Sequence, residues 1–111
     1  MFLLIKRYFK NRNFYIIIIL NILMFYNLSL EKAQIMFKLA RKNNWGNKYD
    51  RLEHFKRFQN LNKAIKELLN KNWILIYKKP MFTGISLNTK YKKEIIGFIE
   101  AELSHLKGII K

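Results

Sequence analysis

The side chains able to do acid–base or covalent chemistry are few in this sequence, and they stand apart. His54 and His105 are isolated, each in a helix-like stretch beside charged or polar neighbours. That setting suits a solvated or capping imidazole better than a ligand or a general base. Glu100 and Glu102 are two residues apart, and on a helix this spacing turns them to different faces rather than toward a shared acid/base site. No phosphate-cradling glycine loop, nucleophile elbow or metal-ligand spacing occurs. With no cysteine in the chain, disulfides and thiolate metal sites are excluded. The expectation is a protein that is not an enzyme and has no metal and no cofactor.

The residue types support binding to a polyanion instead. The 111 residues carry 22 Lys and Arg against 7 acids, a formal charge of +15 with a pI near 10.2. Such a balance points to nucleic acid or an acidic membrane surface. Part of the excess reflects base composition. The chain has no Val, 16 Ile and 12 Asn, and Lys far outnumbers Arg, as AT-rich codons produce. The distribution carries more information than the sum. Residues 56–93 hold ten basic residues against one acid, Glu67, and a generic solvated surface needs no such concentration.

The elements that position this charge can be read in order. Leu61, Ile65, Leu68 and Leu69 recur at helical spacing and give one apolar stripe. Asn60, Asn62, Lys63, Lys66 and Asn70 occupy the other face. Asn72 stands where a helix needs a left-handed residue to end. Residues 73–77, Trp-Ile-Leu-Ile-Tyr, are aromatic and β-branched, as a half-buried strand requires. Pro80 cannot donate to a ladder and suits a hairpin tip. Gly84 eases the return within a second strand over 83–87, and Asn88-Thr89 starts another helix.

Helix, strand, tight basic connection, strand, helix: this order resembles the recognition helix, wing and closing helix of a winged helix-turn-helix DNA-binding domain of the archaeal and bacterial transcriptional-regulator type. The resemblance covers roughly residues 30–105. It implies a mainly α fold with a small β-hairpin, sequence-specific binding of double-stranded DNA, and a small transcriptional regulator in the cytoplasm. Helix 61–71 would enter the major groove, where Asn pairs with adenine edges and Lys with guanine acceptors. Asn60, Asn62, Lys63 and Lys66 are the residues so placed, with Asn62 and Lys63 best positioned for bases. Lys78 and Lys79 would lie on a basic wing, 77–84, against backbone or minor groove. Arg51, Lys56 and Arg57 would add phosphate contacts from the second helix. Two departures from the family pattern stand out: the wing is short, and the usual glycine between second and third helices is replaced by Gln59-Asn60.

The flanks complete the expected domain, 29–111. Ser29 can cap a helix over about 30–43, with Ile35, Met36, Leu39 and Ala40 facing inward and Asn43, Asn44 and Gly46 stopping it. Asp50 and Glu53 resemble a capping box opening a second helix with Leu52, Phe55 and Phe58 on its apolar face. A single unbroken helix from 50 to 71 is the alternative; Asn60 and Asn62 favour a break. Residues 90–111 read as a long helix weakened by Gly97 and Gly108. Its seam of Ile96, Ile99, Leu103, Leu106 and Ile110 suits a homodimer interface or packing against the N-terminal helix.

Residues 1–28 form a hydrophobic N-terminal helix with three readings: a dimer-interface helix, a single-pass membrane anchor, or residues ahead of a true start at Met24. The apolar run 14–30, interrupted by Asn21, Asn27 and Ser29, is short for a span of roughly 20 residues. Lys6, Arg7, Lys10 and Arg12 would hold the N-terminus in the cytoplasm and carry the basic domain outside, away from DNA. Lys32, Lys38, Arg41 and Lys42 could compensate in the opposite orientation. The alternative function is therefore a membrane-associated basic helical protein binding anionic lipid or a protein partner.

Overall fold

The structure, a computed structural model, describes residues 12–110. Lys6, Arg7, Lys10, the first part of the expected N-terminal helix and Lys111 lie outside these residues, as does the side chain of Arg12. The fold is mostly helical with a small antiparallel sheet between an N-terminal and a C-terminal helix. In order it comprises α1 (Arg12–Arg41), β1 (Asp50–Arg51), a 3-10 turn (Leu52–Phe55), α2 (Leu61–Asn70), β2 (Ile74–Lys78) and β3 (Thr83–Leu87). A 3-10 turn (Thr89–Tyr91), α3 (Lys92–Glu102) and a last 3-10 turn (Ser104–Leu106) follow.

α1 runs unbroken for 30 residues, about 45 Å at the usual rise per residue. Ser29 does not cap a separate helix but lies inside this one. A cap residue ends a helix only where the residues before it leave helical geometry, and here they do not. The domain half of α1 buries Leu28, Ala33, Ile35, Met36, Leu39 and Ala40. Its end is closed by Asn43 at φ 59°: the Asn43 N–H bonds to the Ala40 carbonyl (3.0 Å) and the Asn44 N–H to that of Leu39 (2.9 Å). α2 ends in the same way at Asn72 (φ 61°), with Asn72 N–H to Leu69 (2.9 Å) and Trp73 N–H to Leu68 (3.1 Å). Both are Schellman closures in which Asn takes the left-handed position usually held by Gly.

The expected second helix is absent. Asp50 and Arg51 instead pair with Ile85 and Gly84, adding a third strand, so the sheet order is β1-β3-β2. After them the chain turns in steps of three, with Phe58 N–H to the Phe55 carbonyl (3.2 Å) and Leu61 N–H to that of Phe58 (3.3 Å). The apolar residues 52, 55, 58 and 61 recur with period 3.0, which is the 3-10 repeat rather than the 3.6 of an α-helix. The burial expected of them holds all the same: Phe55 and Phe58 are in the core, and Leu52 packs against it. A continuous helix through Asn60 is likewise ruled out, because α2 begins at Leu61.

β2 and β3 pair from Ile74↔Leu87 to Lys78↔Thr83. β3 lies in the middle and is buried from Gly84 to Leu87. Gly84 is fixed by close approach: a Cβ there would stand 2.6 Å from Cδ2 of Tyr49. On α2 the inward stripe is Leu61, Ala64, Ile65 and Leu68, at i, i+3, i+4 and i+7, whereas Leu69 is 38% exposed. The core joining these elements includes Ile35, Met36, Leu39, Phe55, Leu68, Ile74, Ile85, Leu87, Ile95 and Ile99, each fully buried. Burying one such side chain stabilises by about 1.5–3 kcal/mol.

α3 stops at Glu102, short of the expected long helix, because Leu103 leaves helical geometry at φ −120°, ψ 65°. The chain then folds back. Gly108, at φ 83°, donates its N–H to Glu100 Oε2 at 2.6 Å. Ile96, Ile99, Leu103, Leu106 and Ile110 therefore form no continuous seam projecting from the domain. Ile99 and Leu103 are buried, Leu106 and Ile110 pack on the same core, and Ile96 is half-buried. α3 packs against α1.

Candidate nucleic-acid interface

The start of α2 and the hairpin carry the basic residues that the sequence marks out. Lys56, Asn60, Asn62 and Lys63 line one shallow depression of about 440 Å³ with Phe58, Gln59 and Leu61. Lys56 also lines a second depression, about 350 Å³, between Leu61 and the hairpin residues Met81 and Phe82. The structure thus brings four of the expected residues together and joins them to the hairpin through Lys56. Lys66 is exposed one turn further along α2. Asn60 precedes the helix, and its backbone N–H donates to Glu31 Oε2 on α1 at 3.0 Å. Its side chain makes no capping bond.

The acid within this basic stretch is neutralised. Glu67 forms an ion pair with Lys32, whose side chain is almost buried on α1. The pair ties α2 to α1 and removes a negative charge from the exposed face.

The hairpin is tight: Lys79 N–H bonds to the Phe82 carbonyl at 2.9 Å, leaving only Pro80 and Met81 at the tip. Lys78 and Lys79 are exposed, and Met81 is 88% exposed. Beneath the tip lies an aromatic cluster that sequence reading did not identify. Tyr49 packs against Tyr77 (centroids 5.3 Å apart) and Phe82 (5.9 Å), with its ring across Gly84. Two cations sit on these rings: Lys79 Nζ lies 5.6 Å from the Tyr49 centroid and the Arg51 guanidinium 4.4 Å from that of Phe82. Such contacts hold a cation in place for about 0.5–1 kcal/mol each at an exposed site. Arg51 also pairs with Glu53 at 3.2 Å, which offsets part of its charge. Its place is therefore beside the hairpin, on β1. Arg57 is separated from the group: it lies 4.9 Å over the Phe58 ring and faces a groove on α1.

The loop before β1 is fastened to the sheet. Tyr77 Oη donates to the Gly46 carbonyl (2.8 Å), and Ser86 Oγ lies 2.9 Å from the same oxygen and 3.1 Å from the Asn44 carbonyl. Asn88 locks the far end of the hairpin to α2, its Nδ2 donating to the Asn72 carbonyl (2.8 Å) while its Oδ1 accepts the Lys90 N–H (3.1 Å). The hairpin is therefore braced to the loop before β1 and to the end of α2. The two histidines fall elsewhere. His54 Nδ1 is 2.6 Å from Asp50 Oδ1, and His105 is exposed in the last 3-10 turn.

Only Tyr49, Phe82 and Met81 escaped the sequence reading of this face. The available signal was the aromatic at 82 directly after Pro80-Met81, with Tyr49 immediately before Asp50. Comparisons of the chain with protein-family models, with curated proteins and with solved structures give no match.

Proposed function

We propose that the chain binds double-stranded DNA as a small winged helix-turn-helix regulator. The observation that carries this reading is the joining of Lys56, Asn60, Asn62 and Lys63 at the start of an exposed helix to a braced hairpin bearing Lys78 and Lys79. The element order supports it: α2 leads directly into a strand, two lysines and a two-residue Pro-Met tip, a returning strand and a closing helix. One departure from the family pattern is the second helix, here a 3-10 turn. In this reading α2 reads bases, Lys78 and Lys79 meet phosphates, and Met81 with Pro80 reaches the minor groove.

Fluorescence anisotropy of labelled duplexes with the full chain tests the reading. With about five phosphate contacts, affinity should fall roughly 10²–10³-fold between about 50 and 200 mM salt. Lys63→Ala should shift sequence preference, whereas Lys78→Ala should weaken every duplex alike. No binding at low salt would sink the proposal, and equal uniform losses for both variants would remove Lys63 from base readout.

A second reading is favoured by one observation. Within α1, Tyr15–Arg41 is long and apolar enough to cross a membrane, and Ile16, Ile17, Leu20, Ile22 and Leu23 are each 51–53% exposed. In this reading the same basic domain sits at an anionic lipid surface, anchored by the apolar first half of α1. Co-sedimentation of the full chain with anionic vesicles in the absence of DNA is its test.

A further inference from the structure

A groove of about 560 Å³ runs between α1, the turn that precedes α2, and the last 3-10 turn. Its apolar floor is Phe37, Phe58, Leu103 and Leu106. Three cations, Lys38, Arg41 and Arg57, line it, and each stands over an aromatic ring. Arg57 lies 4.9 Å from the centroid of Phe58, Arg41 6.0 Å from Phe37 and Lys38 4.5 Å from Phe55. Gln34, Gln59 and His105 add hydrogen-bonding groups along the rim.

The charges in this groove are unbalanced. Among the described residues, no carboxylate forms an ion pair with Lys38, Arg41 or Arg57. Glu31, the one acid in the lining, accepts the Asn60 N–H and keeps its charge, so three cations against one carboxylate leave the lining net positive by two. Asp50 is engaged by His54, the Arg51 N–H and Lys42. Among the described residues the hydrogen-bond acceptor of Lys38 Nζ is the His54 carbonyl, at 2.5 Å. Burial, then the neighbouring Lys42, Arg57 and Arg41, outweigh the opposite pull of Asp50 and hold its ammonium below the ordinary lysine value. A partly desolvated cation crowded by like charges gains from an incoming anion.

We propose that this groove is a binding site for a small organic anion, a carboxylate or phosphate carried on an apolar body. The anionic group would be held by the guanidinium groups of Arg41 and Arg57 with the Lys38 ammonium, and the body would cover Phe37, Phe58 and Leu106. The site does not rest on the DNA-binding reading, since the cations it uses other than Arg57 have no part in that face.

The probe is phenyl phosphate, titrated into the full chain and followed by the backbone amide resonances of Gln34, Gln59 and His105. Saturable shifts at these three positions are expected, with inorganic phosphate and phenol each binding at least about tenfold more weakly, since neither satisfies both charge and floor. Arg41→Gln and Arg57→Gln, both at exposed positions, should each weaken phenyl phosphate about tenfold, a loss typical of one charge-assisted contact. Lys93→Gln, on α3 outside the groove, should not. Three results would overturn the proposal: shifts that do not saturate, inorganic phosphate binding as tightly as phenyl phosphate, or equal weakening by Lys93→Gln. A short DNA duplex that moves the same three resonances would assign the groove to nucleic-acid backbone and overturn it as well.

Discussion

Residues 28–40 and residues 15–23 belong to one uninterrupted helix, yet they present opposite surfaces. In the first stretch the apolar side chains gather on one side, and Leu28, Ala33, Ile35, Met36, Leu39 and Ala40 are buried against α2, α3 and β3. Charge ties the same half down: Lys32 pairs with Glu67, Lys38 donates to the His54 carbonyl, and Lys42, just past the helix, faces Asp50 at 3.7 Å. In the second stretch Ile16, Ile17, Leu20, Ile22 and Leu23 are all about half-exposed. Five consecutive apolar residues, 16–20, cover every side of a helix and give it no water-facing side. Amphipathicity, more than hydrophobicity, decides which half the domain can cover.

The largest expected effect separates the two halves by stability. Leu39→Ala removes a fully buried side chain from the junction of α1 with the core and should destabilise by about 2–5 kcal/mol. Ile17→Ala should stay within about 0.5 kcal/mol. Urea unfolding of the two variants measures the contrast, and similar losses would mean that the first half of α1 is packed after all.

The converse contrast is read on vesicles. Leu20→Lys places a charge in the middle of the apolar first half, where an amino group in a bilayer costs about 2.5–3.5 kcal/mol, or roughly a hundredfold in partition. Folding stability should not change. If the variant instead abolishes self-association in analytical ultracentrifugation while vesicle binding was never present, a second copy of the chain covers this half.

The segment most legible in the sequence is 72–91. Asn72 sits at a position that only Gly or Asn takes easily, β-branched and aromatic residues flank a proline, and Asn88 offers a capping oxygen; local chemistry alone fixes these elements. The residues of the candidate interface were legible for the same reason, since exposed Asn and Lys on a short amphipathic helix need no tertiary information. Three features were not. β1 is two residues long, too short to show alternation. The run 52, 55, 58, 61 carries the 3-10 period, which a search for helical faces takes as an α-helix. The apolar repeat from Ile96 to Ile110 is real as burial, but it is cut by Leu103 and folded back by Gly108 and Glu100, so it serves this chain's own core rather than a projecting seam. The cations on Tyr49 and Phe82 depend on β1 meeting β3, a non-local pairing that no window of sequence contains.

A smaller effect tests how far charge fastens the packed half. Lys32→Ala leaves Glu67 without its partner, and a double-mutant cycle with Glu67→Ala should give a coupling of about 1 kcal/mol, held down because the Glu67 carboxylate is more than a third exposed. A coupling near zero would leave the attachment of α2 to α1 to apolar packing alone.

The smallest effect is in acid. The Asp50 side chain is nine-tenths buried, and its Oδ2 has no hydrogen-bond partner. Burial pushes its carboxyl up, but the His54 ring, the Arg51 backbone N–H and Lys42 together outweigh this and hold it below the ordinary aspartate value. The folded chain therefore binds fewer protons here than the unfolded chain does. The resulting stabilisation is complete above the unfolded value, about 3.9, and is lost as pH falls through the folded one. Asp50→Asn should flatten that acid limb when unfolding midpoints are followed downward from about pH 6. Lys38, whose folded value is depressed by burial and by Lys42, Arg57 and Arg41, acts at the other end. Stability should rise as pH climbs through its folded value toward the unfolded one, about 10.4, and Lys38→Met should remove that rise. Ile17→Ala should leave both limbs as they are, because Lys38 lies on the packed half of α1 and Asp50 beyond its end. An acid limb unchanged in Asp50→Asn would detach Asp50 from the stability of that half.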